Sequence, residues 1–281
     1  MGTKRIISLD IGGTNTRVAL INEAYKIEKT LIRPTVTGNL KLFLESVSSI
    51  IDECVANPSK CDSISIGVPG RVRWDGYIYA LPNIHIDSIP LAKYLSRKYK
   101  MPVYVRNDAE VAALAEAVAG PFQTCKSLYF ITISTGVGGA LTIGGKLRNS
   151  SYEAGHTMTE LHGELHEFEH LASGHYLVRL ASMKGVTIEG AKEFFQLVKA
   201  QDPKILPIYE DWISLFAGFI NMTQKNFEPE VFALTGGVMK SADVFLADLK
   251  KACPDSRIEK CYFDQEAGLI GAAVYALQME K

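Results

Sequence analysis

The 281-residue chain has no apolar run approaching the ~18–20 residues a membrane-spanning helix needs. Nor is there an excess of charge of one sign. Its 30 Lys and Arg stand against 31 Asp and Glu, a net charge of −1. The basic residues are scattered, with Lys4-Arg5 and Arg97-Lys98 the nearest to clusters, so neither a nucleic-acid partner nor an anionic membrane partner is expected. No signal-peptide pattern precedes the strand-like run that begins at Arg5, and Ile6 stands where N-myristoylation wants Ser or Thr. C-x-x-C spacing is absent: Cys54, Cys61, Cys125, Cys253 and Cys261 are odd in number and read as free thiols of a cytoplasmic protein. Tandem repeats, low-complexity tracts and Pro/Ser-rich linkers are also missing. What remains is an ordinary globular profile, 47% hydrophobic and 22% charged, long enough for one large or two medium domains without disulfide staples.

Two glycine-rich turns dominate the pattern. The β-branched run at Ile6–Leu9 breaks at Asp10-Ile11-Gly12-Gly13-Thr14-Asn15-Thr16 and resumes at Arg17–Ile21. Ser127–Ser134 breaks at Thr135-Gly136-Val137-Gly138-Gly139 and resumes at Ala140–Ile143. Each is strand, small-residue turn, strand, and the pair suggests two similar lobes. Strands are also expected at Ser63–Val68, Pro102–Arg106 and Glu230–Thr235, and helices at Leu40–Cys54, Ala109–Val118, Asp211–Gln224 and Ala267–Leu277. Glycine lets a backbone approach a bulky anion, and successive N–H groups then form a concavity for phosphate oxygens. Thr14, Thr16 and Thr135 can add hydroxyl donors. Either turn taken alone is equally an ordinary hairpin signal. Neither matches G-x-x-x-x-G-K-[ST] and neither opens a helix, which disfavours a P-loop ATPase and a dinucleotide-binding dehydrogenase.

A series of motifs running in order along the chain resembles the ROK family of repressors, open reading frames and kinases, within the sugar kinase/actin/Hsp70 superfamily. Asp10-Ile11-Gly12-Gly13-Thr14-x-x-Arg17 resembles its first phosphate motif. Gly67-Val68-Pro69-Gly70 and Leu81-Pro82-Asn83 resemble its sugar-side turns, and Asn107-Asp108-Ala109 its catalytic segment. Ser134–Gly139 resembles the second phosphate loop, Glu153-Ala154-Gly155-His156 the E-x-G-H sugar motif, Thr235-Gly236-Gly237-Val238 the adenosine-side loop, and Gly268–Ala273 the closing helix. The resemblance implies an α/β, two-lobed actin-like (ribonuclease H-like) fold, each lobe a mixed sheet with flanking helices. The lobes are expected at 1–108, with the C-terminal helix 266–281 packing back on it, and at 109–265. It also implies a homodimer.

The implied activity is an ATP-dependent sugar kinase of carbohydrate metabolism acting on a hexose, glucose at its 6-hydroxyl. The alternative substrate is an N-acetylhexosamine, since the family uses nearly the same motifs for both. A sugar-binding regulator is disfavoured because Asp10 lies too near the start for a preceding helix-turn-helix domain. Phosphoryl transfer needs a phosphate cradle with a metal ion, a placed hydroxyl and a group to receive its proton. Asp108 reads as that base or as the N-cap of an Ala-rich helix; the motif series favours catalysis. The resemblance assigns the nucleotide and its phosphates to Asp10, Gly12, Gly13, Thr14, Thr135, Gly136, Gly236 and Gly237. A carboxylate beside a phosphate cradle is repelled unless a cation lies between, which assigns Asp10 to Mg²⁺ through water. Arg17 either touches substrate or organises the hairpin. The resemblance assigns the sugar to Gly70, Asn83, Asn107, Asp108, Glu153, His156 and Glu169. Asn83 reads equally as a turn residue and Glu169 as a solvated helix face. Lobe closure excludes water as a competing nucleophile.

One family feature is altered. Many ROK proteins follow E-x-G-H with C-x-C-G-x-x-G-C-x-E, whose cysteines bind a structural Zn²⁺ together with the His. Here Glu160, His162 and Glu167 stand at the cysteine positions. Five of the six histidines lie between His156 and His175. They suit either, with Glu160 and Glu167, an N/O zinc site or, with His162, His166 and His170 four apart, one helix face. The loss of thiolates favours no zinc.

Overall fold

The computed structural model describes residues 3–73, 75–148 and 154–280. The chain divides into two units: residues 1–124, 145–151 and 262–281, and residues 125–144 and 152–261. The boundary thus falls after Thr124 rather than after Asp108. The helix that follows Asp108 packs on the C-terminal helix, and both belong to the first unit.

The first unit opens with β1 (Arg5–Ile11), β2 (Asn15–Asn22) and β3 (Ile27–Pro34), followed by α1 (Leu40–Cys54) and β4 (Ser63–Val68). A small hairpin, β5 (Ile78–Leu81) and β6 (Ile86–Ile89), precedes α2 (Leu91–Tyr99), β7 (Val103–Asn107) and α3 (Asp108–Leu114), which runs into a π turn at Ala115–Ala119. Its sheet has the order β3-β2-β1-β4-β7. β1 and β2 are antiparallel, whereas β1, β4 and β7 run parallel. β4 is buried along its whole length, as a strand covered on both faces must be. The period-2 alternation of β1 sorts its side chains. Ile7, Leu9 and Ile11 join Phe43, Val47 and Ile50 of α1 in one core. Ile6, Ser8 and Asp10 point the other way, where Ile6 packs with Leu269, Ala273 and Leu277 and the Ser8 hydroxyl donates to Leu269 O at 2.5 Å.

The second unit contains β8 (Ser127–Ile133) and β9 (Val137–Ile143); β10 (Lys146–Leu147) lies in the segment that belongs to the first unit. There follow the hairpin β11 (Met158–Leu161) and β12 (Glu164–Glu167), the short α4 (Glu169–Ala172), α5 (Gly174–Met183), α6 (Ala191–Lys199) and α7 (Leu206–Phe227). β13 (Val231–Thr235), α8 (Ala242–Ala252) and β14 (Ile258–Lys260) complete it, and α9 (Ala267–Met279) returns to the first unit. Within this unit the order β9-β8-β13-β14 repeats β2-β1-β4-β7, with one antiparallel and two parallel pairings in the same places. An aromatic core packs one face: Phe168 stacks on Phe219 with centroids 4.3 Å apart, and Trp212 donates to Ala172 O at 3.0 Å.

The expected helix at 40–54 and strand at 63–68 have those bounds, and Asn39 caps α1 through the Leu42 N–H at 3.0 Å. The shared helix face for His162, His166 and His170 does not form. His166 lies in β12, and His162 occupies the hairpin turn at φ 53° beside Gly163 at φ 83°. That left-handed pair is what a two-residue hairpin loop requires, and it overrides the four-residue spacing. Among the described residues no helix is long and apolar enough to cross a membrane.

Candidate active site

Parallel pairing brings distant motifs to one edge of each sheet. In the first unit Asp10 lies opposite Gly67, and Val68 opposite Asn107, so three motifs share the carboxyl ends of β1, β4 and β7. In the second, Thr132 lies opposite Thr235, which puts the turn after β8 beside Gly236-Gly237. Carboxyl ends of parallel strands are where open α/β sheets bind ligands.

The turn after β1 is short, since β1 runs through Ile11 and β2 starts at Asn15. Gly12 N–H donates to Asn15 O at 2.9 Å, and Thr35 braces the turn by donating its hydroxyl to Gly12 O at 2.7 Å. The Thr16 hydroxyl lies 3.0 Å from that of Thr35, and Thr14 O accepts the Thr35 N–H at 2.9 Å. A Cβ on Gly13 would lie 2.9 Å from Asn83 Cβ, so the phosphate-type turn and the sugar-type turn touch within this unit.

Asp10 pairs across the hairpin with Arg17, Nη1 to Oδ2 at 3.1 Å. Burial pushes its carboxyl above the usual range, and Arg17 pulls back. Arg17 also reaches Gln265 Oε1 at 3.3 Å, just ahead of α9. Asp10 abuts the start of α9, where a Cβ on Gly268 would fall 2.8 Å from its Cγ.

Asn107, not Asp108, caps α3. Its Oδ1 accepts from Ala109 N at 2.9 Å and from Glu110 N at 3.3 Å. Its Nδ2 donates to Gly70 O at 3.1 Å, and Gly70 adopts φ 123°, a conformation side chains rarely take. Asp108 occupies the first position of the helix, with Oδ1 accepting the Ala109 N–H at 2.8 Å.

In the second unit Thr135 and Gly136 form the bend after β8. Glu169 Oε2 accepts the Val137 N–H at 2.9 Å, and a Cβ on Gly136 would collide with that carboxylate. The stacked Phe168 anchors the chain just before Glu169. So Glu169 sits beneath the second glycine turn and against Gly155, rather than on a solvated helix face. Ser134, not singled out from the sequence, joins two motifs: its hydroxyl accepts the Gly237 N–H at 3.0 Å, and its carbonyl the Gly174 N–H at 2.8 Å. No local signal marks a serine for that part. Gly236 has φ 102° against the Ile133 backbone. His156 ends the 3-10 turn Ala154–His156, and Glu153 lies outside the described residues.

Two units with the same strand order, each with a glycine turn at the carboxyl end of its leading strand, make up the actin-like ATPase fold. The chain belongs to the ROK family, whose model matches residues 6–279. It is 27% identical to a glucokinase of Halalkalibacterium halodurans, over 100% of this chain and 97% of that protein. It is 26% identical to an N-acetylmannosamine kinase of Haemophilus influenzae, over 96% and 95% of the two chains. The ROK hexokinase of Thermus thermophilus superimposes with a TM-score of 0.85 at 24% identity, covering 99% of this chain and 100% of that one, and shares the fold. Family and fold together make this chain a phosphotransferase with an alcohol group as acceptor.

Proposed function

We propose that the protein is an ATP-dependent hexose kinase that phosphorylates glucose at its 6-hydroxyl, with Asp108 as the base. The observation that carries this reading is the division of labour at the end of β7. Asn107 supplies the N-cap of the helix through two N–H groups, and the Asp108 carboxylate, which also accepts the Ala109 N–H, occupies the first helical position. It stands at a strand-to-helix junction beside two other motif-bearing strand ends. Asp108 orients the acceptor hydroxyl and takes its proton as the oxygen attacks the γ-phosphoryl in line. Gly12, Gly13, Thr14, Thr135, Gly136, Gly236 and Gly237 supply backbone and hydroxyl donors to the nucleotide. Gly70, Asn83, Asn107, Glu153, His156 and Glu169 re-pair the sugar hydroxyls taken from water.

Asp10 fits Mg²⁺: it is a carboxylate held in a desolvated place with one cationic partner, next to a glycine turn. Through water it would hold the ion, which when bound neutralises charge on the phosphates. The reading takes the protein to be a cytoplasmic homodimer, a state that sedimentation equilibrium tests.

Comparable identity to a relative named for N-acetylmannosamine supports N-acetylhexosamine as the second substrate reading. ADP release measured with glucose, mannose, N-acetylglucosamine and N-acetylmannosamine decides between them. Preference for glucose is expected, and no turnover with any of the four would sink the kinase reading.

A further inference from the structure

The segment that carries zinc-binding cysteines in many ROK proteins holds a different construction here. Structural zinc takes four donors at about 2.0–2.3 Å around one centre. The residues present do not fit that demand. His162, at a cysteine position, turns outward in the hairpin loop and pairs its Nε2 with Asp211 Oδ2 at 3.0 Å. Among the described residues no three His, Cys, Asp or Glu side chains are grouped so as to hold a metal.

Glu167, at another of the cysteine positions, does come to His156. Its Oε2 lies 3.0 Å from His156 Nδ1. The same oxygen lies 3.5 Å from His170 Nε2, and the His170 ring rests against Tyr176 with centroids 4.7 Å apart. Glu167 is the last residue of β12, paired with Met158 across the hairpin. Phe168 follows immediately, fully buried, with its N–H bonded to Thr157 O at 2.8 Å. The carboxylate is therefore placed by a hairpin and an aromatic anchor, and it reaches the ring of the E-x-G-H motif.

We propose that Glu167 replaces the metal as the positioning residue for His156, and that the replacement reverses the hydrogen-bonding polarity the ring offers to a sugar hydroxyl. A carboxylate only accepts, so in the neutral ring Nδ1 carries the hydrogen and Nε2 is the acceptor. A metal on Nδ1 would instead leave the hydrogen on Nε2, which would then donate. With Glu167 in place, His156 receives the hydrogen of a hydroxyl rather than giving one to its oxygen. This rests on the sugar-kinase reading for its substrate, but the ring's tautomer is independent of it.

The test uses the full-length protein. Metal analysis should find substoichiometric zinc. Long-range ¹H–¹⁵N NMR, with His156 assigned by its loss in His156→Gln, should show the Nδ1–H tautomer. Glu167→Ala should lose that tautomer and raise the KM for sugar about tenfold, roughly the worth of one oriented hydrogen bond, while the KM for ATP stays within about twofold. Glu167→Gln keeps a carbonyl oxygen for the same hydrogen and should restore most of the sugar affinity. One zinc per chain, an unchanged tautomer in Glu167→Ala, or an equal rise in both KM values would each overturn the proposal. If the wild-type protein phosphorylates no sugar, the kinase reading fails while the NMR result still decides what holds His156.

Discussion

At the end of β1 the carboxylate beside the glycine turn is Asp10, part of the strand itself and paired with Arg17 directly across the hairpin. At the end of β8 the carboxylate is Glu169, brought from α4 more than thirty residues later to accept the Val137 N–H. The turns share a strand pattern, yet the first has its charge built into the hairpin and the second borrows it. The same contrast extends to the chemistry. The first unit carries Asp10 and Asp108, both at the ends of parallel strands, whereas the second unit's Glu169 is held to the loop's backbone. The repeated strand order has thus kept the frame and changed where each turn's carboxylate comes from.

The sharpest way to break this asymmetry is at Asp108. Asp108→Ala should lower kcat by about 10²–10⁴-fold with both substrates still bound, a range typical for loss of a general base. An active variant, measured by ADP release, would remove the base from the first unit. Next comes Glu169→Ala, which should cost about 2 kcal/mol of stability, the scale of a hydrogen bond to a charged group. It should also raise the KM for the sugar, and that for ATP through the loosened turn. Denaturant unfolding with steady-state kinetics checks both, and unchanged stability would show that the second turn does not depend on its borrowed carboxylate.

A smaller effect is expected at Asp10. Its folded-state pKa is raised by burial, so its ionisation works against the fold as pH rises from the ordinary value near 3.8 through the raised one. Asp10→Asn should abolish that decline, leaving Tm flatter with pH across this window, while weakening the response of activity to Mg²⁺. A Tm–pH curve parallel to wild type would contradict the assignment of burial as the cause. The smallest effect tests where the units are alike. Cys54 and Cys253, one in each, are both buried and their thiols pushed up, Cys253 to about 11. At pH 8 both should react with a thiol reagent more slowly than Cys61, Cys125 and Cys261; rapid labelling of either would show that its core opens.

Much of the frame was legible because it rests on local signals. Apolar, β-branched runs marked β1, β4 and β13, a helical period marked α1, and the glycines marked the turns. The hairpin at Met158–Glu167 was not legible, since histidines four apart imitate a helix and only His162-Gly163 hinted at a turn. Glu167 stood in the aligned segment only as a candidate zinc ligand, though an acceptor near His156 was signal enough to ask for another part. Asn107 and Asp108 are adjacent candidates for one cap, and sequence has no means of ordering them.

The sequence alone determined the kind of turns, their order along the chain and the residue types beside them, because propensity and periodicity act over a few residues. Tertiary structure decided which groups meet: Asp10 with Gly268, Glu169 with Val137, Glu167 with His156. Those meetings depend on which strand edges pair and which aromatic side chains stack. A hydrogen bond between residues far apart in the chain leaves no period in the sequence from which it could be read.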